Sequence, residues 1–173
     1  MEWHGVYRKS RPFPLSLILP GVIDSHVHLW APPSISRFGM DAERLYAQGV
    51  VGAVEPGSFG CRNWAQASCY WTNAEKLRIK SFMHVLPDGF AVFPPTNVSR
   101  LARSIADKTG KRVLAHISGS TLDLQEVVSY LKPGDIVTHM YTGFEKNVFS
   151  GGSLSSAMLE AKKRGVIMDV GHA

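Results

Sequence analysis

Four histidines in this chain stand where their side chains could bind a metal ion. His26 and His28 lie two residues apart in the segment DSHVH, and His116 and His139 stand further along the chain. Each of these segments closes a short apolar run that is typical of a buried β-strand. Because side chains alternate across a strand, His26 and His28 point the same way. Two imidazoles on one face, with two more at later strand ends, indicate a site for a divalent metal such as zinc.

The elements that must carry these histidines follow a repeating plan of strand and helix. Strand-like runs rich in Val, Ile, Leu or Met begin near residues 22, 50, 81, 112, 135 and 166. Helices are predicted between them over residues 41–48, from 97 or 99 to 109, 122–131 and 153–164, and glycines end most of them. Strands that alternate with helices indicate parallel βα units in a barrel or a doubly wound sheet.

The placement of the histidines favours the barrel, because the active sites of parallel barrels lie at the carboxyl ends of the strands. Gly171 and His172 end the last strand in the same way. Neither a GxGxxG sequence nor a P-loop sequence follows a strand, which removes the usual support for nucleotide binding. A full barrel takes about 250 residues, and this chain has 173. We therefore expect an α/β domain that is an incomplete (β/α)8 TIM-barrel-like fold with about six parallel strands.

Five segments resemble the amidohydrolase superfamily, and more specifically its dihydroorotase-related deacetylase branch. They are PGVIDSHVH at residues 20–28, RIKSFMHV at 78–85, AHIS at 115–118, GDIVTHMYTG at 134–143 and GVIMDVGHA at 165–173. A lone HxH sequence is a weak signal, but the ordered set is specific. The resemblance covers roughly residues 18–173.

The resemblance implies a metallohydrolase with one or two divalent ions, usually Zn²⁺, that hydrolyses amide or ester bonds of a small acyl substrate. By the family pattern, His26 and His28 bind one ion, and His116 and His139 bind the second. His172, with Gly171 beside it, is expected to bind the substrate. In the family a lysine on strand four bridges the two ions, and an aspartate on strand eight moves the proton.

Two of these family parts have no counterpart in the sequence. Only twelve residues separate His84 from Asn97, too few for a helix and a fourth strand, and the chain stops at Ala173 before an eighth strand. Lys80, predicted at the start of its strand, is too distant to act as the bridge, and Lys146 is typical of a solvated loop. No catalytic residue is therefore assigned, and we expect little or no hydrolase activity.

The expected organisation is an N-terminal tail, residues 1–19, as the remnant of a flanking β-domain, followed by a partial barrel, residues 20–173, of a shortened or fragmentary protein. Two alternatives stay open. One is a non-catalytic remnant that self-associates through open barrel edges or binds a partner. The other is a metal-independent α/β binding module. The same reasoning predicts that Asp24 supports the histidines, that His84 is structural, and that Trp64, Tyr70 and Trp71 pack against the sheet.

Composition narrows the class of protein. The chain is 45% hydrophobic and 19% charged, as in a globular domain. The net charge is +5, but the basic residues are scattered and form no stripe interleaved with aromatics, so nucleic-acid binding is not expected. No apolar run reaches the roughly 18 residues of a membrane span. Cys61 and Cys69 lack a CxxC pattern and are predicted to be reduced thiols of a cytoplasmic protein.

Overall fold

The computed structural model describes residues 19–32, 39–72, 76–89, 98–118, 120, 122–141, 149 and 152–171. In these residues the chain forms six strands: β1 Val22–Asp24, β2 Val50–Glu55, β3 Arg78–Ser81, β4 Leu114–His116, β5 Ile136–Thr138 and β6 Ile167–Met168. It also forms five helices: α1 Ala42–Ala47, α2 Trp64–Thr72, α3 Ser99–Thr109, α4 Leu124–Ser129 and α5 Ser156–Lys163. The alternation confirms the predicted βα plan.

The described strands pair in parallel and form two three-stranded sheets. The first has the order β1-β2-β3 and the second the order β4-β5-β6. In the second sheet His116 stands opposite Thr138, the last residue of β5, so His116 and His139 leave the sheet at the same edge. The architecture is the incomplete, barrel-like α/β fold with about six parallel strands that the sequence predicts.

The third strand begins earlier than predicted. It starts at Arg78, and Ser81, taken from the sequence as its start, is its last residue. Arg78 and Lys80 are exposed while Ile79 is half-buried, so this strand has the alternation of a strand with one buried face rather than a continuous apolar run. Lys80 therefore stands near the carboxyl end of β3, opposite Val54, and the prediction that it lies at the strand's start is wrong.

Most helix ends follow the capping residues in the sequence. α1 begins after Asp41, whose side chain accepts a hydrogen bond from the helix backbone. α3 ends before Gly110, which adopts the left-handed conformation with φ 65°. α4 and α5 begin later than predicted, and Ser155 rather than Ser153 occupies the N-cap position of α5. Asn97, one of the two predicted starts of α3, lies outside the described residues.

Each sheet has its own hydrophobic core. The first core contains Leu29, Ala31, Ala42, Leu45, Val50, Ala53, Phe59, Ala67, Trp71 and Leu77. The second contains Ile117, Val127, Val128, Leu131, Val137, Met140, Ala157, Met158, Ala161 and Val166. Val50 and Ala53 of β2 and Val137 of β5 belong to these cores, so the central strand of each sheet packs against its own core.

The aromatic residues of α2 divide between the core and the surface. Trp71 is buried and Trp64 packs against the same core, with their ring centroids 5.9 Å apart. The indole N–H of Trp71 donates to the backbone carbonyl of Trp30 at 3.1 Å. Tyr70 is 39% exposed and meets the ring of Trp30 edge to face. The predicted packing holds for the two tryptophans and is wrong for Tyr70, because that side chain leaves the helix on its exposed side.

The predicted tail, residues 1–19, lies outside the described residues apart from Leu19. The boundary between tail and barrel domain therefore stays a prediction. No helix in the described ranges combines the length and the apolar character that crossing a bilayer requires.

Candidate functional site

The four histidines singled out in the sequence form a chain of neighbouring rings at the carboxyl ends of the strands. The ring centroid of His26 lies 5.8 Å from that of His28 and 5.0 Å from that of His139. The ring of His139 lies 4.3 Å from that of His116. His26 and His139 are buried. The predicted gathering of these side chains is confirmed, and His26 joins the two sheets.

The backbone at His139 is held in an unusual conformation. Its φ is 63°, the only positive φ of a non-glycine residue within the described ranges. For a residue with a Cβ this region costs about 1–2 kcal/mol, and such strain concentrates at functional sites. Gly171 packs directly on this ring, since a Cβ at Gly171 would lie 2.5 Å from Nδ1 of His139. The turn after β5 therefore holds His139 against His26 and His116.

Asp169 is a carboxylate of the cluster that the sequence analysis did not assign. Its Oδ2 atom lies 2.9 Å from Nδ1 of His26 and accepts hydrogen bonds from the Thr138 hydroxyl at 2.6 Å and the Gly171 N–H at 3.1 Å. Because an ionised carboxylate only accepts, Nδ1 of His26 carries the proton in this contact. Its Nε2 atom is then the nitrogen suited to a metal ion. Asp169 comes directly after β6, just as His139 comes directly after β5. This position at a strand end was the signal in the sequence that could have identified Asp169.

A second carboxylate, which is fully buried, supports His28 through a hydroxyl group. Glu55, the last residue of β2, is fully buried and accepts hydrogen bonds at 2.9 Å from the N–H groups of Gly57 and Ser58. The Ser58 hydroxyl also donates to Glu55, and Oγ of Ser58 lies 2.8 Å from Nδ1 of His28. Sequence reasoning missed both residues, although Glu55 is an acidic side chain that ends an otherwise apolar run.

Two known proteins match this chain over most of its length. A deacetylase from Brucella anthropi is 24% identical over 205 residues, which cover 90% of this chain. A deacetylase from Agrobacterium fabrum is 23% identical over 203 residues, which cover 91% of it. The chain spans about half the length, 49%, of each of these relatives. No protein-family model matches the sequence.

Solved structures share the fold. A crystal structure of an adenine deaminase superposes with a TM-score of 0.70 at 16% identity, over 89% of this chain and 53% of that one. A dihydroorotase superposes with a TM-score of 0.68 at 20% identity, over 88% and 52% of the two chains. The chain is therefore similar in sequence to two deacetylases and shares the fold of an adenine deaminase and a dihydroorotase.

The imidazole nitrogens of this cluster are donors that suit zinc chemically. A ring centroid lies roughly 3 Å from a zinc ion bound through its nitrogen, so two rings at the tetrahedral angle are about 5 Å apart. The pair His26 and His28 and the pair His116 and His139 bracket that value, at 5.8 and 4.3 Å. Among the described residues, no group of three or more His, Cys, Asp or Glu side chains is arranged to hold one ion. Each pair therefore offers two donors, and an ion there needs further ligands.

Three other residues were considered for this site from the sequence. His172, the predicted substrate-binding residue, and Lys146, one candidate bridge, lie outside the described residues. The side chain of Lys80 is exposed on β3. The substrate-binding assignment of Gly171 and His172 therefore stays a prediction, although Gly171 borders the histidines.

His84 and Asp24 have local partners. Nδ1 of His84 accepts the Leu86 N–H at 3.0 Å. Burial holds the pKa of His84 below its ordinary value of 6.5, although the charge of Glu55 acts in the opposite direction. Oδ1 of Asp24 accepts the backbone N–H of His26 at 3.0 Å. Both contacts agree with the supporting roles expected from the sequence.

Proposed function

We propose that this chain carries a divalent-metal site of the amidohydrolase type and acts on amide or ester bonds of small acyl compounds, as a deacetylase does. His26, His28, His116 and His139 are the proposed ligands, and zinc is the proposed metal. The observation that carries the proposal is the spacing of the four rings, 4.3–5.8 Å from each to the next. The names of the two deacetylase relatives support the reaction class.

The roles of the protein groups follow from their hydrogen bonds. Asp169 holds the ring of His26, and Ser58 holds the ring of His28, in each case through Nδ1. Fixing both rings lowers the entropy cost of binding an ion between their Nε2 atoms. A bound divalent ion would supply Lewis-acid polarisation of a carbonyl oxygen and an acidified water. The open end of the cluster lies at His116, which is exposed, and a substrate would approach there past Gly171.

The proposed activity of this chain is low. Hydrolysis needs a group that moves a proton, and a missing general acid or base costs about 10² to 10⁴ in rate. Asp169 is the carboxylate at the cluster, but its Oδ2 atom already meets His26, Thr138 and Gly171. An oxygen that already meets three groups is poorly placed to approach a water molecule or a substrate.

Two further parts of the proposal concern the cell compartment and the kind of partner. Cys61 and Cys69 are free and exposed, which suits a reducing compartment such as the cytoplasm. The substrate is a small molecule, and nucleic acid or membrane partners are not proposed, since the basic residues form no continuous stripe in the sequence.

The activity is tested with purified protein reconstituted with zinc and offered N-acetyl amino acids, acetyl esters and dihydroorotate. We expect zinc-dependent turnover below the usual range of about 1 to 10³ per second, and its loss in His116→Ala. His84→Asn is the control, because His84 lies outside the cluster. No zinc-dependent turnover on any of these substrates would overturn the proposed reaction. Turnover within the usual range would overturn the expectation of low activity.

A second candidate, non-catalytic self-association, is favoured by the surface of β1. This strand is at the edge of its sheet, and Leu19, Val22 and Ile23 are 66%, 54% and 70% exposed. An exposed apolar edge strand promotes pairing with a second copy. Light scattering after gel filtration should show a dimer or larger species that Ile23→Lys reduces to monomer. Leu101→Lys, at an exposed apolar position on α3, is the control, and monomeric wild-type protein would contradict this candidate.

A further inference from the structure

Glu55 is a buried acid with neutral hydrogen-bond donors around it. Its side chain is fully buried, and among the described residues no Lys or Arg forms an ion pair with it. Its donors are the N–H groups of Gly57 and Ser58 and the hydroxyl group of Ser58. Burying a carboxylate costs folding free energy unless it is paired and hydrogen-bonded. We therefore expect Glu55 to have a role beside the proposed ligand His28 that a neutral glutamine could not have.

The direction of the hydrogen bonds between these groups is fixed by what each group can donate. The Ser58 hydroxyl donates its single proton to Oε1 of Glu55. Oγ of Ser58 can then only accept from Nδ1 of His28, 2.8 Å away. Nδ1 of His28 must carry a proton, and in the neutral ring the lone pair is then on Nε2. Oε1 of Glu55, 3.5 Å from the same Nδ1, adds an attraction of the same sign.

We propose that Glu55 and Ser58 are positioning residues that act through each other to fix the Nδ1-protonated form of His28 and so present its Nε2 atom to a metal ion. This inference rests on the metal site proposed above. His26 reaches the same state by direct contact with Asp169. The two histidines of the HxH segment thus have matched tautomers, one set by an aspartate and one set by a glutamate through a serine.

The metal-affinity test compares three variants of the full chain by competition with a zinc chelator. Ser58→Ala removes the hydroxyl between Glu55 and His28, and we expect about tenfold weaker zinc binding, the lower end of what lost support of a ligand costs. Ser58→Thr keeps the hydroxyl and should restore the affinity. Ser81→Ala removes the other hydroxyl near Glu55, 3.2 Å from Oε2, without touching His28, and should leave the affinity unchanged.

A spectroscopic test needs neither metal nor activity. In metal-free protein labelled with ¹⁵N, the ring nitrogens of His28 are assigned by their loss in His28→Gln. We expect the wild-type ring to be protonated at Nδ1, and Ser58→Ala to shift it towards protonation at Nε2. If the Ser58→Ala variant does not fold, the wild-type spectrum alone decides the outcome.

The two measurements separate this inference from the proposed function. A wild-type His28 protonated at Nε2, or a loss of affinity in Ser81→Ala as large as in Ser58→Ala, would overturn the positioning role while the metal site stands. Wild-type protein that binds no zinc but shows the Nδ1-protonated ring would overturn the metal site and support the positioning of the ring.

Discussion

Glu55 and Asp135 are both buried acids at strand ends, yet they lie at opposite ends of their strands and have different partners. Asp135 precedes β5 and forms an ion pair with Arg103 at 2.5 Å. It also accepts the N–H groups of Val113 and Lys132, each at 2.8 Å. Glu55 closes β2 and is held by neutral donors. One acid has a cation, and the other has a histidine of the proposed site.

This difference follows the two faces of a parallel barrel. The amino-terminal face stabilises the fold, and the carboxyl-terminal face carries the site. On the stabilising face the ion pairs extend outward, since Arg103 also contacts Asp107, which pairs in turn with Lys132. Hydrogen bonds from Lys132 and Arg103 hold the pKa of Asp107 below its ordinary value. On the site face, Oε1 of Glu55 lies 3.5 Å from Nδ1 of His28, and among the described residues no Lys or Arg pairs with it.

The largest expected effect is on stability at the amino-terminal face. Asp135→Asn removes one partner of a buried ion pair, which typically costs about 3–5 kcal/mol. Urea unfolding of the variant measures the loss, and zinc affinity under folding conditions should not change. Arg62→Ala is the matched control, because the pair of Arg62 and Asp88 is exposed and is worth about 0–1 kcal/mol. Equal losses in the two variants would remove the distinction between the faces.

The corresponding change at the carboxyl-terminal face should lower both the free energy of unfolding and the zinc affinity. Glu55→Gln replaces one carboxylate oxygen by an NH₂ group that cannot accept from Gly57 or Ser58, at a cost of about 1–3 kcal/mol for the unsatisfied donor. We expect weaker zinc binding here and not in Asp135→Asn. If Glu55→Gln lost stability but kept its zinc affinity, Glu55 would only stabilise the fold, as Asp135 does.

A smaller loss of stability is expected when a side chain is added next to the histidines. Gly171→Ala combines a φ of +67° with a Cβ placed 2.5 Å from Nδ1 of His139. We expect a loss of about 1–3 kcal/mol, the cost of strained backbone, together with weaker zinc binding. Gly110→Ala is the control, because it has φ +65° and nothing within 4 Å. A zinc affinity lowered equally in both variants would show that backbone strain, and not contact with His139, is responsible.

The smallest effect concerns the pH dependence of stability. Burial holds the pKa of His84 below 6.5, so the unfolded chain binds this proton more readily than the folded one. The stability contributed by the neutral ring is complete above pH 6.5 and is lost as the pH falls through the lower folded value. His84→Asn keeps an acceptor for Leu86 and should flatten the acid side of the stability curve. An unchanged slope would contradict the depressed pKa.

Local patterns in the sequence predict much of this fold because its elements are short and clearly punctuated. Apolar runs mark most of the strands, Asp41 and Gly110 mark helix ends, and the histidines mark the carboxyl-terminal face. The start of β3 is hidden because Arg78 and Lys80 give that strand a charged face.

The supports of the site could not be predicted because they depend on contacts between distant segments. His26 and Asp169 are 143 positions apart in the chain. Asp169 directly follows β6 of the second sheet, whereas His26 follows β1 of the first sheet, so their contact depends on how the two sheets meet. The contact of Ser58 with His28 likewise depends on how the turn after β2 meets the segment after β1.

The central claim is that the four histidines bind a divalent metal, and zinc content measured on the purified full chain tests it most directly. After reconstitution and removal of loosely held ions, we expect weak or substoichiometric zinc, because the two pairs offer only neutral donors. His26→Ala and His139→Ala should each lower the bound amount, and His84→Asn should not. Absence of zinc from the wild-type protein, or a loss in His84→Asn equal to that in His26→Ala, would contradict the claim.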